Sequence, residues 1–211
     1  MTQALTLSSL PLFPLGTVLY PGGLLPLRIF EVRYLDMISR CHKAGAPFGV
    51  VSLMQGSEVR KAGAGPESFN AVGTLAVINS LETPQPGLLS IECTGAQRFR
   101  INSREQLRHG LWVADVERLE MDMNVAVPPD LQAIAHALEK LIQGLQLRAG
   151  PEGKLPLQEP WQLDDCGWVA NRWCELLPLD PQLKQRLMEL DNPLVRLELV
   201  SDVLERMGIA G

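Results

Sequence analysis

The segment that decides the fold runs from Leu10 to Tyr34 and reads LPLFPLGTVLYPGGLLPLRIFEVRY. Residues that precede a proline favour extended backbone, so this segment predicts a strand over Pro11–Leu15. The turn at Pro21-Gly22-Gly23 separates it from a second strand, over Leu24–Phe30. Apolar residues then recur at three- and four-residue steps, which predicts a helix over Glu31–Lys43. The segment therefore predicts two strands followed by a single short helix.

Strand signals continue beyond this helix. Phe48–Met54 is a continuous apolar run typical of a buried strand, and the polar stretch Gln55–Ser68 predicts a mobile loop. The remaining strands are predicted at Val72–Leu81, Leu88–Thr94, Gln97–Ile101 and Leu111–Leu119, with a turn over Thr83–Gly87 and a tight connection at Gly95-Ala96. Short strands at this spacing predict a small barrel or sandwich-like β domain.

After Met121, the spacing of the apolar residues changes to one typical of helices. A linker over Pro128–Asp130 ends in a helix N-cap, and the apolar face of one helix runs from Leu131 to Leu145. Three further helix starts are predicted at Asp164 or Asp165, at Asp180-Pro181 and at Asn192-Pro193. Trp161, Trp168 and Trp173 cluster in this part of the chain. We assign them to core or interface packing of a C-terminal helical bundle.

Several of these segments together resemble one family, the Lon protease N-terminal, or substrate-binding, domain. The resemblance rests on residues 10–34, on Phe48–Val51 and Gly73, on Gly95–Ile101 and on the stretch from Leu177 to Leu197. It spans about residues 9–205 and is closest to short bacterial proteins made of that domain alone. It implies an α+β protein, with a PUA-like small β barrel containing one inserted helix at 9–120 and a helical bundle subdomain at 121–211. Val32 departs from the pattern, because short members often carry proline there.

Composition narrows the classes of function. The 211 residues carry a net charge of −5, and only 5% are aromatic, which argues against a nucleic-acid binder. No secretory leader and no run of 18 apolar residues is present, so we expect a cytoplasmic protein without membrane association. The four cysteines form no CxxC pair and are expected to be buried, reduced thiols.

Catalytic motifs are absent from the sequence. A phosphate-binding loop needs GxxxxGK[ST], and the nearest string, Gly150–Leu155, has the wrong spacing and a proline where an amide is needed. The Ser–Lys dyad of Lon lies in a separate domain of that family. The three histidines lie in no nucleophile or metal motif. We therefore expect no enzymatic activity, no cofactor and no metal.

The resemblance implies binding of unfolded or partly folded proteins or peptides, with self-association as a further option. The turn gives candidate contacts, because Tyr20 and Leu24 cannot both be hidden in a regular strand. Arg28 and Arg33 would orient an acidic flank of the partner. We expect the partner to lie in a groove between the two domains or along an exposed sheet edge next to it. The alternative is that the turn packs under the helical domain.

A second set of residues is assigned to structure: Phe30, Glu31, Tyr34, Arg98 and Phe99. Glu31 lies at a helix start and could pair with Arg98, although Glu31 and Arg33 beside Phe30 and Tyr34 could also line a peptide groove. Two other classes of function stay open at this point. One is an RNA-binding PUA-like protein, and the other is a small-molecule or enzymatic role in the cleft between the subdomains.

Overall fold

The computed structural model describes residues 6–56, 58, 67–150 and 153–209, and it shows a mixed α+β fold. The chain divides into two compact units, Met1–Met121 and Asp122–Gly211. The strands are β1 (Thr6–Leu15), β2 (Leu24–Ile29), β3 (Phe48–Gln55), β4 (Ser68–Phe69), β5 (Val72–Gln85), β6 (Leu88–Gln106) and β7 (Trp112–Arg118). The helices are α1 (Val32–Ala44), α2 (Gln132–Ala149), α3 (Cys166–Leu176), α4 (Pro181–Glu189) and α5 (Pro193–Arg206). The first unit contains the sheet and α1, and the second contains the other four helices.

The seven strands form one sheet in the order β1-β7-β6-β5-β3-β4, and β2 pairs with β6 beside that path. Neighbouring strands are antiparallel except for β1 and β3, which pair in parallel with Leu12 opposite Gly49. Strand β1 therefore pairs with both β7 and β3. Most of the buried apolar residues described in this unit form its core as two clusters, one that includes Phe13 and Phe48 and one that includes Leu12 and Phe99.

Helix α1 covers part of that core. Its buried face consists of Arg33, Tyr34, Met37, Ile38 and Cys41. The Tyr34 ring stacks on Phe13 of β1 with a centroid separation of 4.0 Å. The helix ends at Gly45, whose φ of +59° lies in the left-handed region that glycine adopts without strain. The helix predicted over Glu31–Lys43 is thus present, one residue further along the chain.

The expected connection at Gly95-Ala96 is wrong, because β6 runs unbroken from Leu88 to Gln106. Gly95 is needed for a close backbone approach: a Cβ atom there would lie under 3.0 Å from the Tyr20 carbonyl oxygen. The predicted turn over Thr83–Gly87 is also shorter, since β5 continues to Gln85. Most of the predicted loop over Gln55–Ser68 lies outside the described residues.

Helix starts in the second unit follow local capping signals. The Asp165 carboxylate accepts from the Trp168 N–H at 2.7 Å, and Asp180 and Asn192 cap α4 and α5 in the same way. The expected N-cap at Asp130 is wrong, because this residue lies inside a short 3-10 turn, Pro129–Leu131, that precedes α2. Of the three tryptophans, Trp173 is buried and donates to the Ile134 carbonyl at 3.2 Å.

A buried arginine joins several segments of the second unit. Arg196, on α5, donates through Nε to the Leu187 carbonyl at 3.0 Å and through Nη1 to Asn171 Oδ1 at 3.0 Å. Its guanidinium also bonds both carboxylate oxygens of Asp122 and the carbonyl of Leu190. One side chain therefore joins α3, α5, the end of α4 and the first residue of the unit.

All four cysteines are free and buried, two in each unit: Cys41 and Cys93, then Cys166 and Cys174. Burial raises the pKa of the Cys93 thiol to about 12 and also raises that of Cys41. The expectation of buried thiols is confirmed. Because a thiolate is the reactive form, these cysteines report on opening of the structure rather than on chemistry at its surface.

Candidate functional site

Tyr20, expected to be an exposed contact residue, is fully buried, so that prediction is wrong. The turn folds back onto β6 through two backbone bonds of 2.8 Å, from the Gly22 N–H to the Gly95 carbonyl and from the Gly95 N–H to the Gly23 carbonyl. The Tyr20 carbonyl accepts from the Gly23 N–H at 3.0 Å. These bonds hold the turn against β6. Leu24 is half-buried as the first residue of β2.

Arg33 is also buried, and the expectation that it orients an acidic partner is wrong. Its guanidinium pairs with Glu31 at 3.0 Å and Glu67 at 3.1 Å and donates to the Gly110 carbonyl at 2.9 Å. Burial acts to lower its pKa, but Tyr34, Glu67 and Glu31 outweigh this effect, so the pKa lies above the ordinary value. Arg33 therefore fastens the start of α1 to two distant segments and is already neutralised by carboxylates.

The other residues assigned to structure divide into buried and exposed members. Glu31 forms its ion pair with Arg33, whereas the expected partner, Arg98, is buried in β6 opposite Thr74. Phe99 is fully buried. Burial raises the pKa of the Tyr34 phenol above its ordinary value. Tyr34 and Phe99 thus lie in the core.

Phe30 is the exception, with 55% of its surface exposed. Leu25, Leu27 and Ile29 pack against the core, so the alternate residues of β2 face outward. These are Leu24, Pro26 and Arg28, and Phe30 continues their alternation just past the strand. We call these four residues the β2 surface. Sequence reasoning missed the exposure of Phe30, although the alternation along β2 contains the signal.

A small cavity of about 70 Å³ lies beside the far end of β2. Its lining combines apolar residues with three charged ones: Phe13, Leu15, Leu27, Ile29, Phe30, Tyr34, Arg28, Glu31 and Glu58. Glu58 accepts from the Gly16 N–H at 2.6 Å, and Glu31 is paired with Arg33. Arg28 is exposed. The β2 surface and the cavity thus offer apolar area with a guanidinium at its margin.

Two kinds of feature are absent from the described residues. No helix among them is long and apolar enough to cross a membrane. No group of three or more His, Cys, Asp or Glu side chains in the same part of the chain could hold a metal ion.

The fold matches two solved structures along nearly the whole of each chain. One is a Lon N-terminal domain protein from Xanthomonas campestris, 31% identical, with a TM-score of 0.70 over 93% of this chain and 98% of that one. The other is the N-terminal domain of a Mycobacterium avium complex Lon protease, 17% identical, with a TM-score of 0.58 over 92% and 96%. The fold is therefore that of a Lon N-terminal domain.

The family model of the ATP-dependent protease La (LON) substrate-binding domain matches residues 9–206. The chain belongs to this family. No curated protein sequence matches it.

Proposed function

We propose that this protein is a non-catalytic module that binds unfolded or partly folded proteins and peptides through the β2 surface. The observation that carries the proposal is the match to a substrate-binding domain family over residues 9–206. An exposed apolar surface on that fold is the feature that binding of protein segments requires. The absence of the phosphate-binding loop from the sequence supports a role without ATP hydrolysis.

The composition of the β2 surface favours a polypeptide partner. Leu24 and Phe30 supply apolar contacts at its two ends, and the 70 Å³ cavity beside Phe30 has room for part of one apolar side chain. Arg28 adds one cation at the margin. A net charge of −5 argues against RNA as the partner, since nucleic-acid binding is dominated by neutralisation of phosphates.

We further propose that the first unit is a PUA-like β barrel and the second a helical bundle, divided near residue 120. The ring of pairings β1-β7-β6-β5-β3, which returns to β1 through its parallel pairing with β3, supports the barrel. The capped helices α3, α4 and α5 around Arg196 support the bundle. We also assign the protein to the cytoplasm, and we keep self-association as a second mode of binding.

The test is fluorescence anisotropy with a labelled, reduced and carboxymethylated protein that cannot refold. We expect micromolar affinity, about −8 kcal/mol, because ordering a flexible chain offsets much of the contact energy. The double variant Leu24→Ala with Phe30→Ala should bind at least about 10-fold more weakly, with a nearly unchanged melting temperature. The matched control is Leu147→Ala with Leu183→Ala, two exposed leucines of the second unit.

Three outcomes would contradict the proposal. Equal loss of binding in both double variants would remove the β2 surface as the site. Binding of single-stranded RNA that falls steeply with salt, without capture of the unfolded probe, would favour the RNA-binding alternative. Hydrolysis of ATP or casein that follows the protein through two orthogonal columns would contradict a non-catalytic role.

A further inference from the structure

Strand β2 has one partner strand among the described residues, and its pairing fixes which way its backbone groups point. Leu24 lies opposite Thr94 and Ile29 opposite Leu89 in antiparallel register. One residue before this ladder, the Gly95 N–H donates to the Gly23 carbonyl at 2.8 Å. The carbonyl group of residue 23 therefore points toward β6. Because this direction alternates along a strand, the backbone groups of residues 25, 27 and 29 do the same.

The intervening residues direct their N–H and C=O groups to the opposite side. Leu24, Pro26 and Arg28 therefore form an open backbone edge, and no other strand of the described chain pairs with it. Proline has no N–H, so the middle position of this edge offers only an acceptor. The edge thus presents the N–H groups of Leu24 and Arg28 and three carbonyl groups.

We propose that the partner of the β2 surface is an extended polypeptide segment that adds to this edge as a further strand, and that Pro26 limits how tightly it is held. This inference rests on the proposed function and specifies its mode. The added strand exchanges hydrogen bonds with Leu24 and Arg28, which lie on either side of Pro26 and its missing N–H. Proline on an edge strand is a known means of restraining uncontrolled pairing.

Charge and shape define the chemistry of that segment. The cavity lies at the Arg28–Phe30 end of the edge and accepts an apolar side chain from the added strand. Arg28 is exposed. It lies opposite Ser90 of β6, and Ser90 lies opposite Glu82 of β5, so the Glu82 carboxylate is two strands away. Of the nearer carboxylates at the cavity, Glu31 pairs with Arg33 and Glu58 bonds the Gly16 N–H. An acidic residue next to the apolar one is therefore the complementary partner of Arg28.

The first experiment locates the hydrogen bonds with a short peptide of alternating valine and threonine that contains one glutamate. Two N-methylated series are compared, one methylated on the valine amides and one on the threonine amides. Strand addition requires a strong asymmetry, because only one series directs its N–H groups toward β2. We expect that series to lose at least about 10-fold in affinity while the other changes by less than about 3-fold. Replacement of the glutamate by lysine should weaken binding.

The second experiment restores the missing donor with Pro26→Ala. One added N–H should tighten binding of the unmethylated peptide by about 2- to 10-fold, the range of a net hydrogen bond. Pro178→Ala, at an exposed proline of the second unit, controls for the effect of proline on the unfolded chain and should leave affinity unchanged. The melting temperature of each variant confirms that it is folded.

The outcomes separate this inference from the function on which it rests. Binding that is equally sensitive to both methylated series, or unchanged in Pro26→Ala, would overturn strand addition while leaving a protein-binding module in place. Self-association of Pro26→Ala without tighter peptide binding would also overturn it, since Pro26 would then only block the edge. If neither the peptide nor the unfolded protein probe binds the unaltered chain, both proposals fail.

Discussion

Three of the four helices described in the second unit begin at a capping side chain, whereas the helix of the first unit does not. In the second unit, Asp165, Asp180 and Asn192 each accept backbone N–H groups at a helix start. In the first unit, α1 begins after Glu31, whose side chain makes no cap bond and pairs with Arg33 instead. Short helices are marginal on local signals alone, so α1 depends on its packing against the sheet. The start of α1 thus depends on contacts with distant segments, whereas the starts of α3, α4 and α5 are fixed by local caps.

One buried arginine from each unit, Arg33 and Arg196, shows a second difference. Arg33 is neutralised by two carboxylates, those of Glu31 and Glu67. Arg196 has one carboxylate partner, Asp122, and its other partners are neutral oxygens that include the carbonyls of Leu187 and Leu190. Carbonyls at a helix C-terminus lack intrahelical donors and carry partial negative charge. Arg196 thus donates hydrogen bonds to carbonyl groups at the end of α4. We expect the stability of the second unit to depend on Arg196 more than on any single helix cap.

The largest expected effect follows from removing this side chain. Arg196→Ala removes the guanidinium that pairs with the Asp122 carboxylate and donates to the Leu187 and Leu190 carbonyls. We expect the free energy of unfolding to fall by about 3–5 kcal/mol, the cost of breaking a buried ion pair. Chemical denaturation followed by circular dichroism measures this change.

The matched control is Arg186→Ala, at an exposed arginine on α4, which should change stability by less than about 0.5 kcal/mol. Thiol labelling sharpens the result, because each unit contains two buried cysteines. In Arg196→Ala, Cys166 and Cys174 should label faster than in the unaltered protein, while Cys41 and Cys93 stay protected. Equal exposure of all four thiols would show that the two units open together.

A second substitution tests the long-range contacts of the first unit. Gly95→Ala places a Cβ atom against the Tyr20 carbonyl oxygen, so β6 and the turn must move apart. We expect a loss of about 1–3 kcal/mol, as for other overpacked sites. Gly144→Ala, within α2, meets no atom within 4 Å and should instead stabilise by about 0.5–1 kcal/mol. Similar melting temperatures for the two variants would contradict this difference between the units.

The helix starts of the second unit show which features the sequence predicts well. The starts of α3, α4 and α5 were predictable, because a capping side chain lies within three residues of the backbone N–H groups that donate hydrogen bonds to it. The alternation of Leu25, Leu27 and Ile29 along β2 is a local signal of the same kind, although no inner face was predicted from it. Continuing it to residue 30 would have placed Phe30 on the outer face. Its position inside a recognised motif favoured a structural role instead.

What sequence reasoning missed depends on residues far apart in the chain. Glycine is compatible with a turn or with a close backbone approach, and only the position of Tyr20 shows that Gly95 serves the second purpose. The exposure of Tyr20 was mispredicted for the same reason. The Arg196–Asp122 pair spans 74 residues, and no spacing rule predicts it. Local chemistry was therefore easier to predict than the partners of buried polar groups.

A pH effect of intermediate size is expected from the second unit. Burial raises the pKa of the Glu175 carboxyl from 4.5 to about 7, against the opposing effect of Arg172. Between these values the folded chain holds a proton that the unfolded chain has lost, so stability falls as pH rises from about 4.5 to 7. The fall should be on the order of 2 kcal/mol. In Glu175→Gln this contribution is absent, and denaturation midpoints measured across the range test it. Parallel pH profiles for the two proteins would contradict the prediction.

The smallest expected effect comes from introducing into the first unit a proline at a helix start, as the second unit has. Helices α4 and α5 carry proline at their first position, whereas α1 has Val32 there, with 81% of its surface exposed. Glu31 has φ −73° and ψ 130°, an extended conformation that a following proline permits. Val32→Pro should therefore stabilise the protein by about 0.4–1 kcal/mol, mainly by restricting the unfolded chain. Its control is Leu199→Pro, at an exposed interior position of α5, which should destabilise by about 3 kcal/mol. A loss of stability in Val32→Pro, measured by thermal denaturation, would show that the start of α1 needs the N–H of residue 32.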